Sequence, residues 1–73
     1  MDEQILSLIS KVTNIEISKL KENMECVGLW DSFSHIELVV NLESEFGITF
    51  KTEEITELNT PNKIVNIVMS KVK

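Results

Sequence analysis

The feature that most constrains the fold is a helix in the middle of the chain with clear start and stop signals. Asp31 and Ser32 both favour the N-cap position of a helix. Ser34 and Glu37 match the S-x-x-E capping box, so the helix is predicted to begin at Asp31, Ser32 or Ser34. Gly47 fits the position just after a helix end, where φ is usually positive. The segment between these signals is therefore predicted to be one helix.

This middle helix carries two apolar faces. At about 100° per residue, a core-type stripe is formed by Leu38, Val39, Leu42 and Phe46. A second group, Phe33, Ile36 and Val40, points to a different side. Either the helix is buried all round, or the second face docks a partner and is rimmed by acids. Four short segments cannot easily cover a helix on every side, which slightly favours the docking surface.

The first part of the chain has one helical pattern followed by an irregular stretch. The spacing i, i+3, i+4, i+7 is followed by Ile5, Leu8, Ile9 and Val12. It predicts a first helix that ends near Thr13 and Asn14, which are poor helix-interior residues. No period persists over residues 14–30, so these residues are predicted to form a long loop pinned to the core by scattered apolar side chains.

Two further helices are predicted after Gly47. Thr52 is expected to cap a brief helical turn that reaches Leu58, and Thr60 followed by Pro61 is a strong helix start. The inner face of this last helix is formed by Ile64, Val65, Val68 and Val72. The expected fold is therefore all-α, a small four-helix bundle with three main helices, a short third helix and a long first loop.

Length and charge narrow the possible functions. The 73 residues predict a single small domain over residues 1–73 with one modest core. The formal net charge is −5 and all seven basic residues are lysines, which argues against binding nucleic acid or an anionic membrane surface. Residues 22–50 hold six acids and no lysine. This excess of acidic over basic side chains either forms a solvated acidic face or attracts a basic partner by electrostatic steering.

Catalytic and metal chemistry find little support in the sequence. His35 shares a helical face with Ser32, but Asp31 does not, and no glycine-rich turn supplies an oxyanion site. The lone His35 and the lone Cys26 cannot complete a zinc site, and no calcium-loop pattern occurs. We therefore expect neither an enzyme nor a metal site. Ser32 is left as a helix cap or as the acceptor of a modification, because a phosphate there would meet free backbone N–H groups.

The single cysteine and the N-terminus bear on compartment. Cys26 has no internal disulfide partner and is expected to be a reduced, partly buried thiol. The chain starts with acids, and its longest apolar runs are only three residues, so neither a signal peptide nor a membrane span is expected. The expectation is a cytoplasmic monomer without membrane insertion.

Three stretches resemble the acyl carrier protein family, namely residues 28–33 (GLWDSF), 36–39 (IELV) and 42–47 (LESEFG). The family signature is Asp-Ser-Leu or a close variant at the start of the second helix, followed by an acidic amphipathic helix that ends in Glu-x-x-Phe. The resemblance covers nearly the whole chain, including the first helix, the long loop and the helix after Pro61. It implies a helical bundle of acyl-carrier type.

The resemblance also implies a function. A phosphopantetheinyl transferase would attach 4′-phosphopantetheine from coenzyme A to Ser32, and the terminal thiol of this arm would carry an acyl or aminoacyl group as a thioester. Asp31 matches the acid that precedes the modified serine. Partner enzymes with basic patches, such as a ligase or synthase and an acyltransferase, would dock on the helix that begins at Ser32. The positions expected in this docking surface are Phe33, Ile36, Glu37, Val40, Glu43 and Glu45.

Some residues depart from the pattern of the fatty-acid carriers. Phe33 replaces the commoner Leu, and Trp30 stands where a small residue is usual. Ser34 and His35 replace an acid and a small polar residue. These differences favour a specialised stand-alone carrier, of the kind used in polyketide, peptide, D-alanyl or surface-polysaccharide pathways, over the housekeeping fatty-acid carrier. The alternative function is an unmodified acidic helical module for protein–protein interaction.

Overall fold

The computed structural model describes residues 2–72 and is built from helices. The five helices are α1 (Asp2–Thr13), α2 (Ile17–Glu22), α3 (Ser32–Phe46), α4 (Thr52–Glu57) and α5 (Pro61–Val72). Helix α1 packs against α2, α3 and α5. The prediction of a small all-α fold is confirmed. No helix within residues 2–72 has the length and apolarity needed to cross a bilayer.

The prediction of an unbroken loop over residues 14–30 is wrong, because α2 lies within it and brings the helix count in the described chain to five. Helix α2 has only six residues, and Leu20 is its one buried side chain. A helix this short offers only two inward positions, the half-buried Ile17 and the buried Leu20, which are too few to establish a period in the sequence. Its first turn also has no side-chain cap at Glu16. Sequence signals for its start are therefore missing.

The core lies between α1, α3 and α5. The side chains with no exposed surface include Ile5, Ile9, Leu42, Ile64 and Val68. Of the positions predicted to face inward, Leu8, Val12, Phe46 and Val72 are half-buried and pack against this core. Leu6 is buried although the helical spacing did not select it, because α1 meets neighbours on more than one side.

The helix ends show which start and stop signals operate. Asn14 and Gly47, which follow α1 and α3, both have positive φ, as expected after a helix end. The N–H of Lys63 donates to the Thr60 hydroxyl at 3.1 Å, so Thr60 caps α5 as predicted. The prediction for α4 is wrong by one residue, because Lys51 occupies the N-cap position and Thr52 begins the helix. The Glu54 carboxylate accepts from the Lys51 N–H there.

Candidate functional site

The start of α3 is capped by Asp31, which decides among the three predicted starts. Asp31 has extended backbone angles, and its Oδ1 accepts a hydrogen bond from the Ser34 N–H at 2.8 Å. Ser32 is therefore the first helical residue and Ser34 is not a cap. The Ser32 side chain is exposed, and no hydrogen bond to it is found among residues 2–72. Its hydroxyl is thus not needed to hold the helix end.

Asp31 places a negative charge beside Ser32. The hydrogen bonds from the backbone N–H of Ser34, and then from its hydroxyl, hold the pKa of Asp31 below its ordinary value. The carboxylate is exposed and stays ionised at neutral pH. A basic group of a partner enzyme can therefore meet this charge next to the serine.

His35 joins three parts of the chain through hydrogen bonds at both ring nitrogens. The Trp30 indole N–H donates to His35 Nδ1 at 3.1 Å, and His35 Nε2 lies 2.7 Å from the carbonyl oxygen of Ile55. Because an indole N–H can only donate, Nδ1 must accept and Nε2 must carry the proton that reaches Ile55. We call this arrangement the Trp30–His35–Ile55 clamp. Since both nitrogens are occupied, His35 is not free to act as a base toward Ser32.

A cleft opens directly beside the serine. Its volume is about 240 Å³, and its lining consists of Gly28, Trp30, Asp31, Ser32, His35, Thr56 and Asn59. The sequence selected Asp31 and Ser32 for this site, but it missed the wall formed by Thr56 and Asn59. These two residues lie more than twenty positions away along the chain, and only the folding of α4 onto α3 brings them to the serine. Trp30 did carry a signal, because a large aromatic residue at this position departs from the fatty-acid carrier pattern that the sequence resembles.

The second apolar face of α3 is exposed, so burial of the helix on every side is excluded. Phe33, Ile36 and Val40 have 71%, 63% and 58% of their surface accessible, whereas the opposite stripe is buried or half-buried. We call these three residues the apolar stripe. Val27, in the loop before α3, is also exposed, so the expectation that it helps to pin this loop to the core is wrong. An exposed apolar group of this kind on a small protein is typical of a surface that binds a partner.

The three acids predicted for the docking surface do not share one environment. Glu37 is exposed and lies about 40° round the helix from Phe33, beside the apolar stripe. Glu45 is exposed but lies about 120° away, nearer the border with the core. Glu43 is half-buried, and its Oε2 accepts a hydrogen bond from the Phe50 N–H at 2.9 Å. Glu37 is thus the acid best placed to flank the stripe.

The cysteine and the acids have no metal-binding arrangement in the part of the chain that the structure covers. Cys26 is exposed, so the expectation of a partly buried thiol is wrong. Within residues 2–72, no group of three or more His, Cys, Asp or Glu side chains is placed to hold a metal ion.

Comparison with known proteins identifies the family. Residues 3–68 match the family model described as "Phosphopantetheine attachment site". The chain belongs to this family. It is similar to the D-alanyl carrier protein of Abiotrophia defectiva, with 33% identity over 76 aligned residues that cover 99% of this chain and 96% of the relative. The D-alanyl carrier protein of Bacillus velezensis is 38% identical over 68 residues, 88% of this chain and 87% of the relative.

A further relative widens the comparison beyond D-alanyl carriers. The acyl carrier protein of Buchnera aphidicola is 31% identical over 75 residues, which cover 100% of this chain and 95% of the relative. Family and relatives together confirm the prediction of a specialised member of the acyl-carrier family that carries covalently attached 4′-phosphopantetheine. The chain is a carrier and not an enzyme, and proteins of this kind interact with a phosphopantetheinyl transferase and with ligases or synthases.

The start of α3 fits the phosphopantetheine group. Ser32 offers an exposed hydroxyl that makes no hydrogen bond within residues 2–72. At this helix terminus the Ser34 N–H is bonded to Asp31, and the N–H groups of Ser32 and Phe33 have no partner within the helix. A phosphate bound there is favoured by these N–H groups and by the positive end of the helix dipole. When bound, the group supplies a terminal thiol that forms a thioester with a cargo.

Proposed function

We propose that Ser32 is the residue that receives 4′-phosphopantetheine and that residues 1–73 act as one carrier domain. The observation that carries this proposal is that Asp31, and not Ser32, caps α3. The Ser32 hydroxyl is therefore left exposed at the edge of a cleft. In the transfer, Ser32 Oγ bonds to the phosphorus next to pantetheine in coenzyme A. The bond from this phosphorus to the bridging oxygen breaks, 3′,5′-ADP leaves with the electron pair, and the serine proton passes to a base of the transferase.

The proposed cargo is a small aminoacyl group held as a thioester. Two of the relatives described above are named D-alanyl carrier protein, which supports a D-alanyl group over a long acyl chain. A ligase would activate the amino acid as an adenylate and pass it to the arm's thiol. The choice of amino acid is tested by loading. A D-alanine-activating ligase should load the holo-protein with D-alanine and not with octanoate, and the reverse result would overturn the proposed cargo.

The proposed docking surface is the apolar stripe with Glu37 beside it, together with Glu43 and Glu45 farther along α3. The stripe begins one residue after Ser32, so an enzyme that rests on it has its active site close to the arm. Basic patches on the transferase, the ligase and an acyltransferase would meet the acids, and Asp31 would add a charge at the serine. We infer a monomer that works in the cytoplasm, where coenzyme A and these enzymes are found.

The test of the proposed function is the intact mass of the protein after incubation with coenzyme A and a promiscuous phosphopantetheinyl transferase. The wild type should gain the mass of one phosphopantetheinyl group. Ser32→Ala should gain none, and Ser34→Ala, which removes a hydroxyl two residues away, should gain the group as the wild type does. Because Asp31 is the cap, Ser32→Ala should change the free energy of unfolding by no more than about 0.5 kcal/mol. Modification of folded Ser32→Ala would overturn Ser32 as the attachment site.

A further inference from the structure

We propose that the cleft between Trp30 and the end of α4 is a binding site for the pantetheine part of the arm, here called the seat. We further propose that His35 positions both walls of this cleft, Trp30 on one side and Thr56 with Asn59 on the other. This inference rests on the proposed attachment at Ser32. It assigns a role to the clamp residues and to Thr56 and Asn59, none of which the carrier function itself requires.

The position of the cleft makes it reachable for a group attached at Ser32. Ser32 is itself part of the lining, so an attached arm begins at the edge of the cleft. Gly28 lines the same space, and a Cβ built on it would meet no atom within 4 Å, so the cleft is open on this side. A tethered group has an effective concentration of the order of millimolar, and weak contacts are therefore enough to seat it.

The lining matches the chemistry of pantetheine. In the attached arm, the pantetheine part contains two amides, one free hydroxyl, a dimethyl-substituted carbon and a terminal thiol. The half-buried indole of Trp30 offers an apolar wall for the dimethyl group. Thr56 donates its hydroxyl proton to the Glu53 carbonyl at 2.8 Å, which leaves lone pairs on its oxygen to accept from an amide N–H. Asn59 is exposed and offers both a donor and an acceptor.

His35 controls the distance between these walls. Its Nδ1 fixes the edge of the Trp30 indole, and its Nε2 fixes the Ile55 carbonyl in α4, one residue before Thr56. Ile55 is half-buried against the core, so α4 is held both by packing and by this hydrogen bond. Loss of the imidazole removes both bonds at once and frees the indole to turn. His35 is therefore a positioning residue for the seat.

Trp30 gives a direct readout, because the chain has one tryptophan and no tyrosine. We compare apo-protein with holo-protein, each verified by intact mass, in acrylamide quenching of tryptophan fluorescence and in ¹H–¹⁵N NMR spectra. Attachment of the arm should lower the quenching constant and shift the Trp30 indole N–H, the Thr56 amide and the Asn59 side-chain amide. Ser32→Asp introduces a negative charge without the arm. This control should not reproduce in full either the lower quenching constant or the NMR shifts.

Variants of the walls test the seat itself. Thr56→Val and Asn59→Ala should each reduce the change in quenching that the arm produces, whereas Thr49→Val, at an exposed threonine outside the cleft, should not. The seat is overturned if the holo-protein carries the arm by mass and yet its Trp30, Thr56 and Asn59 signals match those of Ser32→Asp. Failure of the proposed function looks different, because the arm is then absent from Ser32 in the mass spectrum.

Variants of His35 test the positioning role. His35→Gln keeps an acceptor for the indole and a donor for Ile55, so its Trp30 signals should still respond to the arm. His35→Ala should accept the arm by mass but lose the response. An equal response in folded His35→Ala overturns the positioning role, and so does a His35→Gln variant that folds and fails to respond. If His35→Ala does not fold, the His35→Gln result decides.

Discussion

The Glu43 carboxylate and the Phe50 backbone N–H form a hydrogen bond of 2.9 Å that ties α3 to the connection leading into α4. Phe50 is buried, and the ammonium group of Lys71 in α5 lies 5.7 Å from the centre of its ring. Glu43 therefore helps to hold a core side chain in place from the far end of the helix. An acid that looks like part of a partner-binding face thus also has a structural role.

Substitution of Glu43 separates these two roles. Glu43→Ala leaves the partly buried Phe50 N–H without its acceptor and should cost about 1–3 kcal/mol of unfolding free energy. Glu43→Gln keeps an acceptor oxygen but removes the charge, so it should lose less stability. Urea denaturation measures both. If the two variants are equally stable, the hydrogen bond to Phe50 contributes nothing and Glu43 acts only through its charge.

Glu43 also illustrates which features of this structure could be predicted from the sequence and which could not. The Thr60 cap and the glycine after α3 are local signals that operate as predicted, and Asp31 is one of the three caps that the sequence left open for α3. Helix α2 and the half-burial of Glu43 depend on what packs against them, which no local pattern encodes. Similarly, the cleft beside Ser32 requires Thr56 and Asn59 to approach from a distant part of the chain. Capping and periodicity are thus readable from sequence, whereas contacts made by tertiary packing are not.

Small changes in the apolar stripe should have little effect on modification by the transferase, whereas a positive charge introduced there should slow it. Val40→Lys puts an ammonium group where the proposed partners present basic residues, so it should lower kcat/KM for modification by the transferase. Ile36→Glu should also lower it, because a buried charge would replace an apolar contact. The control is Asn66→Lys, which makes the same change in charge at an exposed position of α5. Equal rates for Val40→Lys and Asn66→Lys would place the docking surface elsewhere.

The two faces of α3 should differ sharply in their effect on stability. Leu42 has no exposed surface, so Leu42→Ala should cost about 2–5 kcal/mol through lost burial and an unfilled cavity. Val40→Ala, two positions earlier on the exposed face, should change the free energy by no more than about 0.5 kcal/mol. Thermal or urea unfolding distinguishes them. Similar losses for the two variants would mean that the apolar stripe is covered in solution.

Two carboxylates should make stability fall in acid. Hydrogen bonds from Ser34 lower the pKa of Asp31, and a hydrogen bond from the Lys51 N–H, followed by the contact with Lys71, lowers the pKa of Glu54. A lowered pKa in the folded state means that the ionised form is favoured by folding. The stabilisation is complete above the ordinary carboxyl pKa of about 4 and disappears as the pH falls through the lower, folded-state value.

Asp31→Asn isolates the share of this pH dependence that belongs to the cap beside Ser32. The asparagine side-chain oxygen still accepts from the Ser34 N–H, but the asparagine does not titrate. The urea midpoint of Asp31→Asn should therefore fall less between pH 7 and pH 3 than that of the wild type. Glu57→Gln, at an exposed acid at the end of α4, is the control, because it changes the net charge by the same amount and leaves the hydrogen bond between Asp31 and the Ser34 N–H in place. Parallel pH profiles for Asp31→Asn and the wild type would show that the capping bond does not depend on the charge of Asp31. Because the charge also lies next to Ser32, Asp31→Asn should in addition weaken the salt dependence of modification by the transferase.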